Sequence, residues 1–232
     1  MRARPLLLLS LVTSFALAQS PAPPAKPTDV AAKDAASHDI GLIFGNQLRN
    51  GGLESTLSLD ALMLGVQEGL NGKPVTAEVK AHVTAVLRAG RDQLASRNKE
   101  VAREFLAQNG RAEGVTTTAS GLQYRVLSAG DAKAGLPRPD DQVTVQYRGT
   151  LLDGAEFDSS YQHGKPASFR LNSVIKGWQE ALAMMKPGAN WRLFVPPELG
   201  YDTQSPPGIP PGSLLIFDVE LLKVESPGTV KQ

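Results

Sequence analysis

A segment without proline, residues 76–109, predicts one long α-helix. Gly90 is the single glycine in it, and apolar side chains recur at helical spacing. These apolar residues are Val79, Val83, Val86, Leu87, Leu94, Val101, Phe105 and Leu106. At 1.5 Å per residue the helix would extend roughly 50 Å, which is longer than a small domain can enclose. We therefore expect it to project and to connect two parts of the chain.

Two shorter amphipathic helices are predicted before the long one. They cover residues 37–50, with Ser37 as the N-cap, and residues 58–70, which begin at Ser58. Helices of about 12 to 14 residues are marginally stable alone, so their apolar faces need a partner. A second copy of the segment would supply it in a symmetric homodimer. Packing of residues 37–75 on the long helix of the same chain is an equally good reading of the pattern.

The pattern changes from helical spacing to strand alternation after Gly110. Strands are predicted over residues 122–128, 142–151, 167–171, 190–195 and 213–224. One helical stretch, residues 177–185, interrupts them and carries Trp178. An antiparallel sheet covered by one short helix is an α+β domain, here of about 110 residues.

The first 18 residues have the pattern of a secretory signal peptide. Arg2 and Arg4 precede an apolar run over residues 6–17, and Ala18 ends a small-x-small cleavage site. The run is shorter than the roughly 20 residues of a membrane span. We therefore expect cleavage after Ala18 and no membrane span.

Composition argues against several classes of function. Loss of the leader would change the formal net charge from +1 to −1, since it carries two arginines and no acidic residue, and no basic surface for nucleic acid remains. Cysteine is absent, which excludes disulfides and thiolate chemistry. His38, His82 and His163 lie in different segments and form no ligand-like pair. With no nucleotide-binding glycine loop and no serine-hydrolase elbow, we predict neither a metal nor another cofactor.

Aromatic and branched side chains are concentrated near the ends of the predicted strands and helix. Alternation puts Val143, Val145 and Tyr147 on one face of their strand. The corresponding face of the last strand consists of Leu215, Phe217, Val219 and Leu221. Both faces would point at the helix that carries Trp178. The pattern fits an aromatic-walled cavity between helix and sheet, and it fits an ordinary hydrophobic core as well.

Several motifs, in matching order, resemble the FKBP domain, the immunophilin fold that binds tacrolimus and rapamycin. They are VTVQYRGTLLDGAEFDSS, FRLNSVIKGWQEAL and VPPELGYDTQSPPGIPPGSLLIFDVELLKV, between Val143 and Val224. Upstream, IGLIFGNQLRNGG, the long helix and REFLAQNGRAEGVTTTASGLQY resemble the N-terminal module of the Mip-like bacterial branch, which dimerises through this module. The resemblance covers about residues 37–225 and favours the homodimer.

The predicted domain organisation has six parts. They are a signal peptide over residues 1–18, a disordered Pro/Ala linker over 19–36, a helical dimerisation segment over 37–75, a long connecting helix over 76–110, an FKBP domain over 111–225 and a flexible tail over 226–232. The fold class is therefore α+β, with an all-α dimerisation module before an antiparallel sheet wrapped on one short helix.

The resemblance also implies roles for individual residues. The catalytic residues that it implies are Tyr147, Phe157, Asp158, Trp178, Tyr201 and Phe217. The further substrate-binding residues are Phe169, Val174, Ile175 and Ile209. A proline ring would lie on the Trp178 indole, while the Ile175 backbone N–H and the Tyr201 hydroxyl would donate hydrogen bonds to substrate carbonyls. Two positions depart from the family pattern: Asp202 follows the tyrosine where glycine is usual, and Ala167 stands where some members have a wall aromatic.

The implied activity is cis-trans isomerisation of X-Pro bonds in unfolded or partly folded exported proteins, accompanied by chaperone activity. Tacrolimus and rapamycin are the inhibitors that the resemblance suggests. The alternative is a holdase-type chaperone or peptide-binding module with little isomerase activity. The leader places the protein in the periplasm, with association at the cell surface as a further expectation.

Overall fold

The computed structural model describes residues 29–227, with side chains from residue 32 onwards. Within these residues the helices are α1 (Asp29–Asn50), α2 (Leu59–Leu70), α3 (Ala77–Asn109) and α4 (Lys176–Met184). The strands are β1 (Val115–Thr117), β2 (Gln123–Ala129), β3 (Gln142–Thr150), β4 (Glu156–Ser159), β5 (Ala167–Arg170), β6 (Ala189–Val195) and β7 (Leu215–Glu225). The predicted signal peptide, the first part of the predicted linker and the end of the predicted tail lie outside the described residues.

Of the three N-terminal helices, two begin where the sequence predicts. The Ser58 hydroxyl caps α2 by accepting a hydrogen bond from Ala61 N at 3.3 Å, and Thr76 caps α3 by accepting one from Val79 N at 3.2 Å. The predicted start of the first helix at Ser37 is wrong, because α1 begins at Asp29 and residues 29–36 of the predicted linker are helical. Alanine, the best helix former, is frequent in this part of the chain, which favours the longer helix.

Much of the apolar surface of the N-terminal helices is exposed. No residue of α2 is buried, and Leu59 is 70% exposed. In α3 the buried residues begin only at Gly90. The turn after α1 does pack on α3, because Leu53 is 2% exposed and lies close to Gly90. Within the described chain, α2 therefore does not bury its apolar face against the long helix.

The seven strands form one sheet in the order β1-β2-β6-β7-β3-β4, and β5 pairs with β3 as well. All pairings are antiparallel. The sequence did not predict β1 and β4. β1 has only three residues, and β4 lacks an alternating apolar pattern, so neither gives the usual strand signal. Of these two strands, β4 is the one that carries candidate site residues, Phe157 and Asp158.

The core lies between the sheet and α4, as the alternation predicted. The inward residues of β3 and β7 are all buried: Val143, Val145, Tyr147, Leu215, Phe217, Val219 and Leu221. Gly177 lets α4 approach β6 closely, since a Cβ atom at this position would lie 2.6 Å from Val195 Cγ1. The close approach fixes the start of α4, and with it the neighbouring Trp178, against the sheet.

The second half of α3 packs on the sheet domain. Phe105 contacts Phe194 with ring centroids 5.8 Å apart. Near the end of α3, Gln123 Nε2 donates to Leu106 O at 2.8 Å and Gln123 Oε1 accepts from Asn109 Nδ2 at 2.9 Å. These contacts fix the direction in which α3 enters the sheet domain.

Candidate functional site

A cavity of about 280 Å³ lies between α4 and the concave side of the sheet. Its lining residues come from β3, β4, β5, α4, β7 and the loops before α4 and β7. They are Tyr147, Phe157, Asp158, Phe169, Ser173, Val174, Ile175, Trp178, Tyr201 and Phe217. The lining is mostly aromatic and aliphatic with few polar groups, which is the usual character of a small-ligand site.

Three neighbouring rings hold Trp178 in place. Tyr147 and Phe217 meet the indole edge-to-face with centroids 5.2 Å away in both cases, and Phe169 does so at 6.0 Å. Edge-to-face pairs at such distances are favourable because the positive ring edge meets the negative ring face. The indole nitrogen is buried and finds no hydrogen-bond acceptor among residues 29–227. Packing alone therefore fixes the ring.

Gly149 supports two further walls of the cavity. It lies in β3, opposite Phe217 of β7 and Asp158 of β4. A Cβ atom at Gly149 would lie 2.7 Å from Phe157 Cζ and 2.9 Å from Phe217 Cε1, closer than carbon atoms can pack. The absence of a side chain at Gly149 is what lets both rings lie against the sheet, with Phe157 and Phe217 themselves edge-to-face at 5.5 Å.

Asp158 is the acidic group of the cavity and is held by three contacts. Its Oδ2 accepts a hydrogen bond from the Tyr147 hydroxyl at 2.6 Å, and its Oδ1 accepts one from Ser159 N at 2.9 Å. The ring nitrogen His163 Nε2 lies 3.3 Å from Oδ1. Burial raises the pKa of Tyr147, and the hydrogen bond to Asp158 raises it further. The Tyr147 phenol thus stays neutral and keeps the carboxylate oriented.

Two hydrogen-bond donors at the cavity have no acceptor within residues 29–227. They are the backbone N–H of Ile175, the residue before α4, and the Tyr201 hydroxyl. Burial raises the pKa of Tyr201, and the charge of Asp158 adds to the effect, so this hydroxyl keeps its proton. A ligand with carbonyl groups can accept both hydrogen bonds.

The structure brings together in this cavity every site residue named from the sequence except Ile209. Ile209 is 8% exposed, packs in the hydrophobic core and lines a different, larger cavity. Ser173 also lines the site and was not predicted, although it lies within the motif FRLNSVIKGWQEAL. Ala167, the other departure from the family pattern, does not line the cavity. His163, which was not named as a site residue, contacts Asp158.

Comparison with protein families gives two matches. Residues 133–222 match the profile of the FKBP-type peptidyl-prolyl cis-trans isomerase domain. Residues 33–126 match the profile described as the domain amino terminal to FKBP-type peptidyl-prolyl isomerase. Together the two matches extend over most of the described residues and include α2, α3, α4 and α1 from residue 33 onwards.

Individual proteins similar to the chain agree with these matches. A peptidyl-prolyl cis-trans isomerase Mip of Coxiella burnetii is 54% identical over 129 residues, which is 55% of either protein. The FKBP-type 22 kDa peptidyl-prolyl cis-trans isomerase of Escherichia coli is 40% identical over 200 residues, covering 82% of this chain and 94% of the relative. The crystal structure of FkpA from E. coli superposes with a TM-score of 0.65 at 37% identity, covering 87% of this chain and 99% of FkpA.

Proposed function

We infer the site from the premise that the chain belongs to the FKBP-type peptidyl-prolyl cis-trans isomerases. We propose that the cavity at Trp178 is where an X-Pro bond is bound and rotated. The activity is that of the family, peptidyl-prolyl isomerisation. The observation that carries the assignment of the site is the meeting of an aromatic-lined cavity with two unused hydrogen-bond donors, Ile175 N–H and the Tyr201 hydroxyl.

Rotation of an X-Pro bond needs no nucleophile or metal. The barrier is about 18 to 20 kcal/mol because twisting the amide destroys its resonance. The twisted amide has less charge separation than either planar form, so an apolar cavity that excludes water favours it over the ground state. A tenfold acceleration requires about 1.4 kcal/mol of such preference. A 10⁵-fold acceleration would therefore require roughly 7 kcal/mol.

The lining residues divide between shape and hydrogen bonding. Trp178 would form the floor under the proline ring, with Tyr147, Phe157 and Phe217 as walls. Ile175 N–H and the Tyr201 hydroxyl would donate to the carbonyl groups on either side of the rotating bond. Asp158 would act by holding the Tyr147 ring against the indole, since the Tyr147 hydroxyl already donates to it.

The two tryptophans of the chain provide a matched test of this site. Trp178 is 4% exposed and lines the cavity, whereas Trp191 is 7% exposed, stacks on Tyr124 and lies outside the cavity. Replacement of either by leucine should lower the free energy of unfolding by about 2 to 4 kcal/mol. Only Trp178→Leu should in addition lower kcat/KM for a proline tetrapeptide, by more than about tenfold at a temperature where both variants are folded. Equal losses of activity in the two variants would contradict the assignment.

The same pair makes ligand binding visible. In a Trp191→Phe variant, Trp178 is the single indole, so its fluorescence reports directly on the cavity. We expect rapamycin and tacrolimus to change this fluorescence in a saturable way and to compete with a proline-containing peptide. A peptide that binds without altering Trp178 emission, and that rapamycin does not displace, would show binding elsewhere on the protein.

We also propose that the N-terminal helices form a homodimer. α2 has no buried residue, and its exposed apolar side chains include Leu59, Met63 and Val66, while the first half of α3 exposes Val79 and Val83. A helix of 12 residues is marginally stable without tertiary contacts, so this face needs a cover, and a second copy presents the same face. No other segment of residues 44–227 covers it.

Charge substitution on α2 tests the dimer. Met63→Glu places a carboxylate in the apolar face, and Ala61→Glu places the same charge on the opposite side of the helix. We expect the unsubstituted chain and Ala61→Glu to elute as dimers in light-scattering chromatography at micromolar concentration, and Met63→Glu as a monomer. A dimer that persists in Met63→Glu would place the interface elsewhere.

The client would be an exported chain, because residues 1–18 have the form of a cleavable leader. No helix within residues 29–227 is long and apolar enough to cross a membrane. We propose a periplasmic location, which N-terminal sequencing of the protein from a periplasmic extract tests directly. A first residue of Gln19 is expected; an intact Met1 in the cytoplasmic fraction would contradict export.

Holdase activity is a second candidate function, because α1 also exposes apolar side chains, among them Ile40 and Ile43, that are not part of the face proposed for the dimer. Trp178→Leu separates the two functions if both refolding of a proline-limited client and suppression of its aggregation are followed. Loss of refolding acceleration with retained suppression of aggregation would show that the helices hold clients independently of the cavity.

A further inference from the structure

The loop of residues 201–212 carries the Tyr201 hydroxyl to the cavity and is anchored to α3 at both of its ends. Asp202 follows Tyr201 directly, and its side chain points away to α3, where Lys99 Nζ lies 2.5 Å from Asp202 Oδ1. At the other end, Asn98 Nδ2 donates to Pro211 O at 2.8 Å. Lys99 and Asn98 are adjacent residues, so one turn of the helix holds both ends of the loop.

The backbone at Asp202 is in an unusual conformation. Its φ of +50° is the one positive value at a non-glycine residue within residues 29–227. This left-handed region is costly for residues with a Cβ atom, although aspartate tolerates it better than most. Such a conformation persists only where the surroundings enforce it. The backbone bonds Asp202 N to Pro197 O at 3.0 Å and Gly212 N to Asp202 O at 2.8 Å are part of that enforcement.

The ion pair between Lys99 and Asp202 also holds the backbone of Asp202 in this conformation. Asp202 Oδ1 is shielded from solvent, and Lys99 is itself only about one-third exposed. Glu198 Oε1 lies 3.8 Å from the same ammonium group, so Lys99 also bridges to the turn before Tyr201. The contact with Asp202 raises the pKa of Lys99, so the Lys99 ammonium group stays charged at neutral pH. Gly212 completes the attachment, because a Cβ atom there would lie 2.4 Å from Ala95 O.

We propose that Lys99 is a positioning residue for the isomerase reaction: through Asp202 it fixes the left-handed turn that places the Tyr201 hydroxyl at the cavity. Lys99 does not line the cavity and acts only through the adjacent residue. The inference rests on the proposed role of Tyr201 as a donor to the substrate. Through Lys99, the long helix α3 would orient the loop of residues 201–212 at the cavity.

The test is a double-mutant cycle on the full chain, with kcat/KM for a proline tetrapeptide as the readout. Lys99→Met should lower kcat/KM by about fivefold, the effect of losing one hydrogen bond in the transition state. In a Tyr201→Phe background the same substitution should have no further effect, because the hydroxyl that Lys99 positions is gone. A residue that merely stabilises the fold would give the same fold-loss in both backgrounds.

Two controls keep the result interpretable. Arg103 is a cation of the same helix that pairs with Glu100 instead of the loop. Arg103→Met should therefore leave kcat/KM unchanged. Asp202→Gly adopts a positive φ without cost, so Lys99→Met should have little effect in that background as well. Urea unfolding of each variant confirms that the assays report folded protein.

The outcomes distinguish this inference from the proposed function. If Tyr201→Phe lowers kcat/KM but Lys99→Met lowers it equally with and without the Tyr201 hydroxyl, the positioning role is overturned and the site stands. If Tyr201→Phe has no effect, both the donor role of Tyr201 and the positioning role of Lys99 are overturned.

Discussion

Gly149→Ala is the substitution that tests most directly how the cavity is built. The added methyl group would lie 2.7 Å from Phe157 Cζ and 2.9 Å from both Phe157 Cε2 and Phe217 Cε1, where ordinary contacts are 3.4–4 Å. β3 is paired with β7 on one side and with β4 on the other, so the backbone has little room to retreat. The rings must move instead, and they line the cavity of about 280 Å³.

The expected cost arises from overpacking. Extra methyl groups in a well-packed core typically destabilise a protein by about 1 to 3 kcal/mol. Displacement of two walls toward the cavity should also weaken binding of the twisted amide, and each loss of about 1.4 kcal/mol there lowers kcat/KM about tenfold. We therefore expect Gly149→Ala to lower the urea midpoint and to reduce kcat/KM by at least about tenfold.

Gly135→Ala is the matched control. No atom lies within 4 Å of a Cβ placed at Gly135, and its φ is not positive. Both substitutions reduce the entropy of the unfolded chain by the same amount, so that effect cancels between them. Measured by urea unfolding and a proline-tetrapeptide assay, a Gly149→Ala variant as stable and as active as Gly135→Ala would refute the packing of the two rings on Gly149 and the role of the cavity in catalysis.

Three other predictions concern the same architecture. Gly177→Ala should lower the free energy of unfolding by about 1 to 3 kcal/mol, because the alanine Cβ would overlap Val195 even though alanine is the better helix former. A variant that is more stable in thermal unfolding would contradict the close approach of α4 to β6. The pKa of Tyr147 is raised in the folded state, so the unfolded chain releases this proton near pH 10 while the native state keeps it. The stabilising contribution is complete below about pH 10 and is lost above it, so the unfolding free energy of the unsubstituted protein should fall relative to that of Tyr147→Phe as pH rises beyond 10. Parallel curves of unfolding free energy against pH for the two proteins would refute the raised pKa. Asp158→Ala should leave the Tyr147 hydroxyl without its acceptor at 2.6 Å and lower kcat/KM several-fold. The control is Asp153→Ala, which removes an exposed loop aspartate and should leave kcat/KM unchanged. Equal effects of the two substitutions would argue against a specific role of Asp158.

The elements of the fold could be predicted from the sequence wherever their pattern is local. The start of α3 after Thr76, the cap at Ser58 and the inward face of β3 all agree with the structure, since a helix or strand repeats its spacing over adjacent residues. The start of α1 at Asp29 was not predicted, because Ser37 fits the N-cap pattern and the alanine-rich residues before it have no apolar period. β4 was missed because four residues with one aromatic side chain show no period.

The site itself could be named only through the resemblance to a family. Phe157, Trp178 and Phe217 belong to three elements far apart in the chain, and by pattern each is indistinguishable from a core residue. The resemblance also implies that Ile209 is a site residue at the rim; in the structure it packs in the core and lines another cavity. The contact of His163 with Asp158 was not predicted, although His163 follows Asp158 by only five residues.

The sequence by itself determined the longer helices and strands, the α+β class and, through its motifs, the family. These depend on residues that are neighbours in the chain or on motifs in fixed order. Tertiary structure alone decided that Gly149 supports two aromatic walls, that Ile175 and Tyr201 keep unused donors, and that Lys99 reaches Asp202. The physical reason is that each of these depends on packing between elements distant in sequence, where a few tenths of an ångström decide whether atoms bond, touch or overlap.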